Sequence, residues 1–165
     1  MIFITVGTHE QGFDRLIKEV DELIENKKID EEVFGQIGYC RYKPKNFKFK
    51  DLLGEEEMNK YVSKSKIVIT HGGPGSIFKA LEYGKVPIVV PRDPSFNEHV
   101  DNHQILFVNK LESIKKVIAV YDVKSLKKCI ENYDELSIQC VKESSDINHF
   151  VERFDELIKE RLKIV

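Results

Sequence analysis

The segment THGGPGS, Thr70 to Ser76, follows an apolar run and combines a histidine and glycines with a proline and a serine. Glycines after a strand leave main-chain N–H groups uncovered, and the N-terminus of a following helix attracts anions. Pro74 suits the first turn of such a helix, and the serine adds a hydroxyl group. We predict a phosphate or diphosphate site here, and a glycine-rich turn beside a surface histidine is the alternative. The candidate residues are His71, Gly72, Gly73, Gly75 and Ser76.

The segment GTHEQG, Gly7 to Gly12, follows the first apolar run of the chain and offers a second anion-binding turn. Gly7 would let the backbone turn tightly and approach a ligand, while Thr8 and His9 add hydrogen-bond donors. A plain strand-to-helix turn with Thr8 as its N-cap explains the same pattern without a ligand.

The segment PRDPSFNEHVDNHQ, Pro91 to Gln104, is dense in charged and amide side chains after a third apolar run. Such donors and acceptors at a strand end suit the hydroxyl groups of a sugar. His99 and His103 are four apart on a presumed helix and could instead bind a metal with Asp101, although the H-E-x-x-H pattern is absent. A solvated polar helix start is a third interpretation. We favour the sugar site, formed by Glu98, His99, Asp101, Asn102, His103 and Gln104.

The elements that must position these segments are strands alternating with helices. This alternation predicts a doubly wound, parallel α/β sheet covered on both faces, which binds ligands at the carboxyl ends of its strands. The predicted strands are 1–6, 31–39, 46–53, 66–70, 86–91 and 114–121. The predicted helices are 12–27, 54–65, 74–83, 97–111, 123–133 and an amphipathic C-terminal helix over 144–162.

The composition, with 41% hydrophobic and 33% charged residues, predicts one soluble domain over residues 1–165. A net charge of -2 gives no basic surface for nucleic acid. The three cysteines are scattered without a C-x-x-C pair, which argues against a disulfide framework or a zinc site. The apolar start, MIFITVGT, is too short for a spanning helix and lacks signal-peptide features, so we expect a cytoplasmic protein.

Three stretches, TVGTHEQGFDRLI, ITHGGPGSIFKALEYGKVPIVVPR and DNHQ, together resemble the C-terminal domain of family 28 glycosyltransferases. The likeness is greatest to small bacterial subunits that add a sugar during capsule or exopolysaccharide assembly. The catalytic subunit of the eukaryotic dolichol-linked N-acetylglucosaminyltransferase looks like a more distant relative. The resemblance implies a Rossmann-like domain that is the donor-binding half of a GT-B glycosyltransferase, an enzyme of two facing halves.

The resemblance also implies a reaction: transfer of a hexose from a UDP-sugar to a lipid-diphosphate-linked saccharide, with inversion and without a cofactor. We expect no metal, because backbone N–H groups can stabilise the leaving UDP and no D-x-D motif is present. In similar split enzymes a membrane-anchored partner supplies the acceptor side, so we expect recruitment to the inner face of the membrane. Galactose is the first guess among several donor sugars, and a homodimer is compatible with the sequence.

On this resemblance the diphosphate loops fall on Gly7–His9 and on Gly73–Ser76, and the stretch that lines the donor sugar falls on Asp101–Gln104. Three residues past the motif serine, the family usually has a glutamate that holds the ribose hydroxyls, but this chain has Lys79. An ammonium group cannot accept hydrogen bonds from a diol, so this position cannot hold ribose in the family's way.

An inverting displacement needs a general base near the acceptor hydroxyl. We predict His9 as that base, with Glu10 as the second candidate, since an imidazole titrates near neutrality. The alternative is that His9 contacts phosphate alone and the partner supplies the base. Two other functional classes stay open at this stage, a non-catalytic nucleotide-sugar-binding subunit and a metal-dependent hydrolase.

Overall fold

The computed structural model describes residues 1–142 and contains one sheet of six parallel strands. The first and fourth strands are continuous apolar runs that are buried along their whole length, as expected for strands covered on both faces. The strands are β1 (Ile2–Thr5), β2 (Val33–Gln36), β3 (Lys48–Lys50), β4 (Ile67–His71), β5 (Ile88–Val90) and β6 (Ile118–Ala119).

Helices connect the strands and cover both faces of the sheet. A 3₁₀ turn over Pro94–Phe96 follows β5, and a second one over Val123–Ser125 follows β6. The helices are α1 (Asp14–Glu25), α2 (Glu55–Lys64), α3 (Pro74–Glu82), α4 (His103–Ser113), α5 (Leu126–Glu131) and α6 (Tyr133–Lys142). None of the helices in this described part of the chain is both long and apolar enough to cross a bilayer.

The strand order β3-β2-β1-β4-β5-β6 confirms the predicted doubly wound, Rossmann-like fold. The chain winds one way from β1 to β3 and the other way from β4 to β6, so the order reverses between β1 and β4. These two strands pair in parallel from Ile2 with Ile67 to Thr5 with Thr70. Their carboxyl ends are therefore neighbours, and the loops that follow them diverge to form a crevice.

Alternate side chains of each strand pack on opposite faces of the sheet. Ile4 and Ile69 join the large core beneath α1, while Phe3 and Val68 join a smaller cluster on the other face with residues of α2 and α3. Val89 of β5 belongs to a third cluster beneath α3 and α4. This packing on both faces fixes the strand ends that carry the candidate residues.

The helix predicted over residues 97–111 is shorter than expected, because α4 begins at His103. Asn97 adopts the left-handed conformation with φ 57°, which a helix cannot contain. The Asp101 carboxylate then accepts the His103 N–H at 3.0 Å and so satisfies a free donor of the first helical turn. His99 consequently precedes the helix, and the predicted spacing of His99 and His103 on one helical face is wrong.

The end of the described chain also differs from the expectation. The predicted helix over residues 123–133 is divided into a 3₁₀ turn and α5, since the Asp122 carboxylate accepts the Lys124 N–H at 3.0 Å and starts the tighter turn. Helix α6 is not among the predicted elements. The amphipathic helix predicted over residues 144–162 lies outside the described residues, so its prediction stays untested.

Candidate functional site

Two glycines of the site enclose the imidazole of His71. Gly7 follows β1 with φ +73°, and a Cβ there would lie 2.6 Å from Cε1 of His71. A Cβ at Gly73 would overlap the same ring at Nε2. Glycine at both positions therefore makes room for a side chain of the protein itself, which is a reason beyond the ligand approach predicted from the sequence.

Gly72 contacts the side chain of Gln104 instead of the His71 ring. Its N–H donates to Oε1 of Gln104 at 2.9 Å, and a Cβ at this position would lie 2.7 Å from Cβ of Gln104. The same amide oxygen also accepts the N–H of Arg92 at 3.1 Å. The expectation that Gly72 leaves a free N–H for a ligand is thus wrong. Gln104 instead ties the loop after β4 to the loop after β5, and its amide nitrogen remains as the group that could meet a sugar.

Gly75 is the glycine of this segment that faces open space, with no atom within 4 Å of a Cβ built on it. It lies with Pro74 in the first turn of α3, after Gly73 as the N-cap. The free N–H groups of this turn and the Ser76 hydroxyl border a pocket of about 400 Å³. The pocket is also lined by Gly7, Thr8 and His71 from the sequence-predicted set, and by Thr5, Gln36, Leu53, Glu55, Met58, Val62 and Lys79.

His71 is a neutral imidazole at physiological pH. The side chain is 9% exposed, and burial followed by the nearby Arg92 charge lowers its pKa to about 4. Its Nδ1 lies 3.3 Å from the Thr70 hydroxyl. His71 therefore offers no positive charge to a ligand in the pocket, and its ring already makes a hydrogen bond with the main chain of Thr5.

His9 brings the loop after β1 against the loop after β5. Its ring lies 4.8 Å from the ring of His99, centroid to centroid. Its Nδ1 accepts the N–H of Gln11 at 3.2 Å, so the neutral ring carries its proton on Nε2. Burial, then the charges of Arg92 and His99, lowers the pKa of His9. In this arrangement His9 presents a hydrogen-bond donor, whereas a general base would need a free ring lone pair.

Asp101 holds the two histidines of the third segment together. Its Oδ1 lies 2.6 Å from Nδ1 of His103 and 3.3 Å from Nδ1 of His99, and its N–H donates to His99 Nδ1 at 3.3 Å. The backbone N–H of His103 lowers the pKa of the Asp101 carboxyl. The residues that the sequence singled out here do cluster, at the exposed entrance beside His9. Within residues 1–142 no group of three or more His, Cys, Asp or Glu side chains has a geometry that could hold a metal.

The Glu98 side chain is engaged inside the protein. Its carboxylate accepts from Nε and an Nη of Arg15, each at 2.9 Å, and from the Asp93 N–H at 3.1 Å. Such a two-pronged guanidinium contact fixes the loop after β5 against α1. Glu98 was predicted to bind the nucleotide-sugar, and the structure gives its oxygens partners within the chain.

Arg92 organises the loops of the site, although it is not among the sequence-predicted ligand residues. Its guanidinium is 1% exposed and donates to the carbonyl oxygens of Val6 at 2.8 Å, Gln11 at 2.6 Å and Glu98 at 3.0 Å. It also lies over the ring of Phe13, 5.1 Å from its centroid. An arginine directly after a buried strand was the available signal, but its partners are main-chain atoms that no sequence pattern identifies.

Four predicted residues, Thr8, Glu10, Ser76 and Asn102, have no side-chain hydrogen bond within residues 1–142, and two of them are exposed outside the pocket lining. Glu10 is exposed in the loop after β1, next to His9. Asn102 is exposed and occupies the N-cap position of α4 without a side-chain cap. Both are exposed to solvent in the loops after β1 and β5.

A family model matches nearly the whole chain. The model for the glycosyltransferase family 28 C-terminal domain matches residues 1–161. The chain belongs to this family. The family 28 resemblance that the three sequence motifs indicated is thereby confirmed, while no curated protein matches the chain.

Solved structures show the same fold at low sequence identity. The Acinetobacter baumannii MurG structure has a TM-score of 0.58 and 19% identity, and the match covers 85% of this chain and 44% of that one. The calicheamicin glycosyltransferase CalG4 has a TM-score of 0.62 and 12% identity, and the match covers 99% of this chain and 44% of that one. SnogD from Streptomyces nogalater has a TM-score of 0.56 and 17% identity, and the match covers 88% of this chain and 39% of that one. The chain thus spans less than half the length of these glycosyltransferases.

Proposed function

We propose that this chain is the donor-binding, catalytic half of a glycosyltransferase that transfers a hexose from a UDP-sugar to a lipid-diphosphate-linked saccharide. The observation that carries the proposal is the pocket between the ends of β1 and β4, bordered by the open first turn of α3. A helix N-terminus at the switch point of a doubly wound sheet suits a nucleotide diphosphate. Family 28 membership supports the same chemistry.

In the proposed reaction the acceptor oxygen attacks the anomeric carbon as the bond from that carbon to the UDP oxygen breaks. UDP leaves with the electron pair, so negative charge grows on the diphosphate. Free N–H groups at the start of α3 and the Ser76 hydroxyl would stabilise this charge. Attack from the face opposite UDP inverts the anomeric carbon, and the acceptor proton passes to a general base.

The His9 geometry favours one of the two roles that the sequence left open. Because Nδ1 accepts the Gln11 N–H, Nε2–H of the neutral ring is a donor toward the site entrance. We propose that His9 hydrogen-bonds the donor phosphate or sugar, and that the acceptor-side half provides the base. Glu10 is the remaining base candidate in this chain. Asp101, Asn102, His103 and the amide of Gln104 would contact the sugar hydroxyls.

The acceptor-side half lies outside this sequence, which spans less than half of the solved glycosyltransferases it matches. We propose that a membrane-anchored partner supplies that half and brings the chain to the inner face of the membrane. Capsule or exopolysaccharide assembly is the proposed setting, and galactose is the first donor to test. These details rest on the resemblance of the three sequence motifs.

Calorimetric titration of the chain with UDP and with UDP-galactose, UDP-glucose, UDP-glucuronate and UDP-N-acetylglucosamine tests the proposal. We expect binding of UDP in the presence of EDTA, tightened by one particular sugar and unchanged by Mg²⁺. Ser76→Ala should weaken UDP binding, while Ser63→Ala on the exposed face of α2 should not. Binding of no UDP compound, with or without the membrane partner, would refute the proposal.

The alternative of a non-catalytic binding subunit predicts the same titration but a different transfer assay. Membranes that carry the partner would be mixed with the chain and radiolabelled donor. If the Ser76→Ala and His9→Ala variants bind donor weakly and transfer proportionately less sugar, the chain is catalytic. If variants that no longer bind donor still transfer sugar at the wild-type rate, the catalytic site lies in the partner and not in this chain.

A further inference from the structure

Lys79 lines the pocket from the second turn of α3, one turn after Gly75 and Ser76. It lies four residues after Gly75 and three after Ser76, and all three residues line the pocket. Side chains on a helix lean toward its N-terminus and cover the residues three and four positions earlier. The stem of Lys79 therefore leans toward the first turn of α3, where the free N–H groups lie, while its Nζ lies 3.6 Å from Glu82 Oε2.

The surroundings of Lys79 leave its charge available. Its one ion pair within the described residues is a 3.6 Å contact with Glu82, whose side chain is 70% exposed. This separation is too long for a hydrogen bond, and exposed pairs of this kind are weak. The Lys79 side chain is itself 29% exposed and makes no hydrogen bond within residues 1–142. It is a half-buried cation with unused donors beside a pocket.

A second, independent observation points to an acceptor-rich ligand in the same pocket. Gln36 ends β2, is 2% exposed and lines the pocket opposite α3. Its Oε1 accepts the hydroxyl of Thr5, which leaves the amide nitrogen with no acceptor in the described part of the chain. The residue as a whole is nearly enclosed, so this amide donor has little access to solvent other than through the pocket that it lines. Gln36 and Lys79 thus both offer donors to whatever fills the pocket.

The charge balance of the pocket distinguishes a diphosphate from a neutral group. Among its described lining residues Lys79 is the one cation, because the low pKa of His71, about 4, keeps that ring neutral. Glu55 is the one carboxylate there. A nucleoside alone would leave the Lys79 ammonium with only its long, exposed contact to Glu82, whereas phosphate oxygens can accept its hydrogen bonds and neutralise its charge.

We propose that the Lys79 side chain binds the phosphate groups of a ligand in this pocket. At the position where the family usually has a glutamate that holds the ribose, this chain would instead hold the diphosphate of its donor. The inference rests on the proposed function. It makes Lys79 a specificity-determining residue: the chain should prefer nucleoside diphosphates over nucleosides by contact with the charge. The same ammonium would also stabilise the UDP that leaves.

Titration of the full chain with UDP, uridine and inorganic pyrophosphate, at two salt concentrations, tests the assignment. We expect Lys79→Gln to weaken binding of UDP and of pyrophosphate by about tenfold to a hundredfold, the range for a hydrogen bond to a charged group. Uridine binding should change less than about twofold, and Lys79→Glu should weaken UDP further through repulsion. Lys64→Gln, on the exposed end of α2, is the matched control with unchanged affinities.

The outcomes separate this inference from the proposed function. If the wild type binds UDP and Lys79→Gln binds it equally well, the role of Lys79 is overturned and the proposed function stands. Tighter binding of UDP by Lys79→Glu would have the same meaning. Pyrophosphate binding that needs Lys79, without binding of any UDP compound, keeps the phosphate site and overturns the UDP-sugar function. Binding of neither overturns both. Urea unfolding of each variant shows that lost affinity does not reflect lost folding.

Discussion

The site has an inner group, formed by His71, Gly73 and Arg92, and an outer group, formed by His99, Asp101 and His103. His71 is 9% exposed and has a pKa lowered to about 4, whereas the His103 side chain is 72% exposed and contacts Asp101 at 2.6 Å. The same residue type thus serves as a neutral packing group in one place and as a solvent-facing ring beside a carboxylate in the other. Burial, rather than residue identity, decides what each histidine can do.

The comparison indicates that the two groups have different roles, one in stability and one in ligand binding. The inner group fills space and ties loops together, so its variants should change the stability of the fold. The outer group has few internal partners and faces the entrance, so its variants should change ligand binding with little effect on stability. Each of the following variants tests that division.

The largest expected effect is that of Arg92→Met. The variant leaves the buried carbonyl oxygens of Val6, Gln11 and Glu98 without their shared donor, and each such loss costs about 1–3 kcal/mol. We expect the free energy of unfolding to fall by about 3 kcal/mol or more in urea titrations. The control Arg41→Met changes an exposed side chain and should stay within about 0.5 kcal/mol of wild type. Equal stability of both variants would remove Arg92 from the inner group.

Acid should destabilise the fold through His71. Its folded pKa of about 4 lies below the ordinary value of 6.5, so the unfolded chain binds the proton more readily between these values. The stabilising contribution of the neutral ring is fully present above pH 6.5 and is lost as the pH falls toward 4, by about 3 kcal/mol in total.

Urea unfolding between pH 4 and pH 7 measures this dependence. In His103→Asn the free energy of unfolding should fall with decreasing pH as in the wild type, because the exposed ring is not part of the buried inner group. In His71→Asn the share of this pH dependence that comes from His71 should be absent. A slope that disappears with His103→Asn and persists with His71→Asn would invert the comparison of the two histidines.

A matched pair of glycine variants gives the next effect. Gly73→Ala places a methyl group on the His71 ring and should lower the free energy of unfolding by about 1–3 kcal/mol. Gly75→Ala meets open space within α3 and should leave the stability equal or slightly higher. If the diphosphate approaches the first turn of α3, Gly75→Ala nevertheless weakens UDP binding, which calorimetry would detect. A stable Gly75→Ala that binds UDP normally would place the ligand elsewhere.

The smallest effect on stability belongs to Asp101→Ala. The residue is exposed at the entrance, so the free energy of unfolding should change by less than about 0.5 kcal/mol. Without the carboxylate the ring of His103 loses the group that holds it, while the main-chain N–H that holds His99 is kept, and contact with the donor sugar should weaken. We expect the affinity difference between the preferred UDP-sugar and UDP to shrink, while UDP binding itself is retained. A large loss of stability would move Asp101 to the inner group.

The sequence predicted the elements well where one physical signal dominated. Buried β-branched runs indicated the strands, and the glycine-rich stretches after β1 and β4 indicated where the loops of the site would meet. The start of α4 could not be read in the same way. The polar residues before His103 are compatible with a helix, and the left-handed Asn97 and the Asp101 turn decide the boundary only in three dimensions.

The candidate residues show the same limit. The motifs singled out Gly75 and Ser76, which line the pocket, yet they also assigned Gly72 a free N–H that Gln104 accepts. The partner is 32 residues away along the chain, and no local pattern encodes it. Gln36 was missed because a glutamine at a strand end becomes informative only once its neighbours leave one of its two polar atoms unpaired.

The sequence by itself determined the fold class, the family and the three loops of the site, because strand and helix periodicity and glycine-rich turns are local properties of the chain. Tertiary structure alone decided which glycines make room for His71 and that Gly75 faces open space. It also decided that Arg92 binds main-chain oxygens, and that Lys79 is among the residues that line the pocket. Burial, hydrogen-bond partners and pKa depend on distances between residues far apart in the chain, and only folding sets those distances.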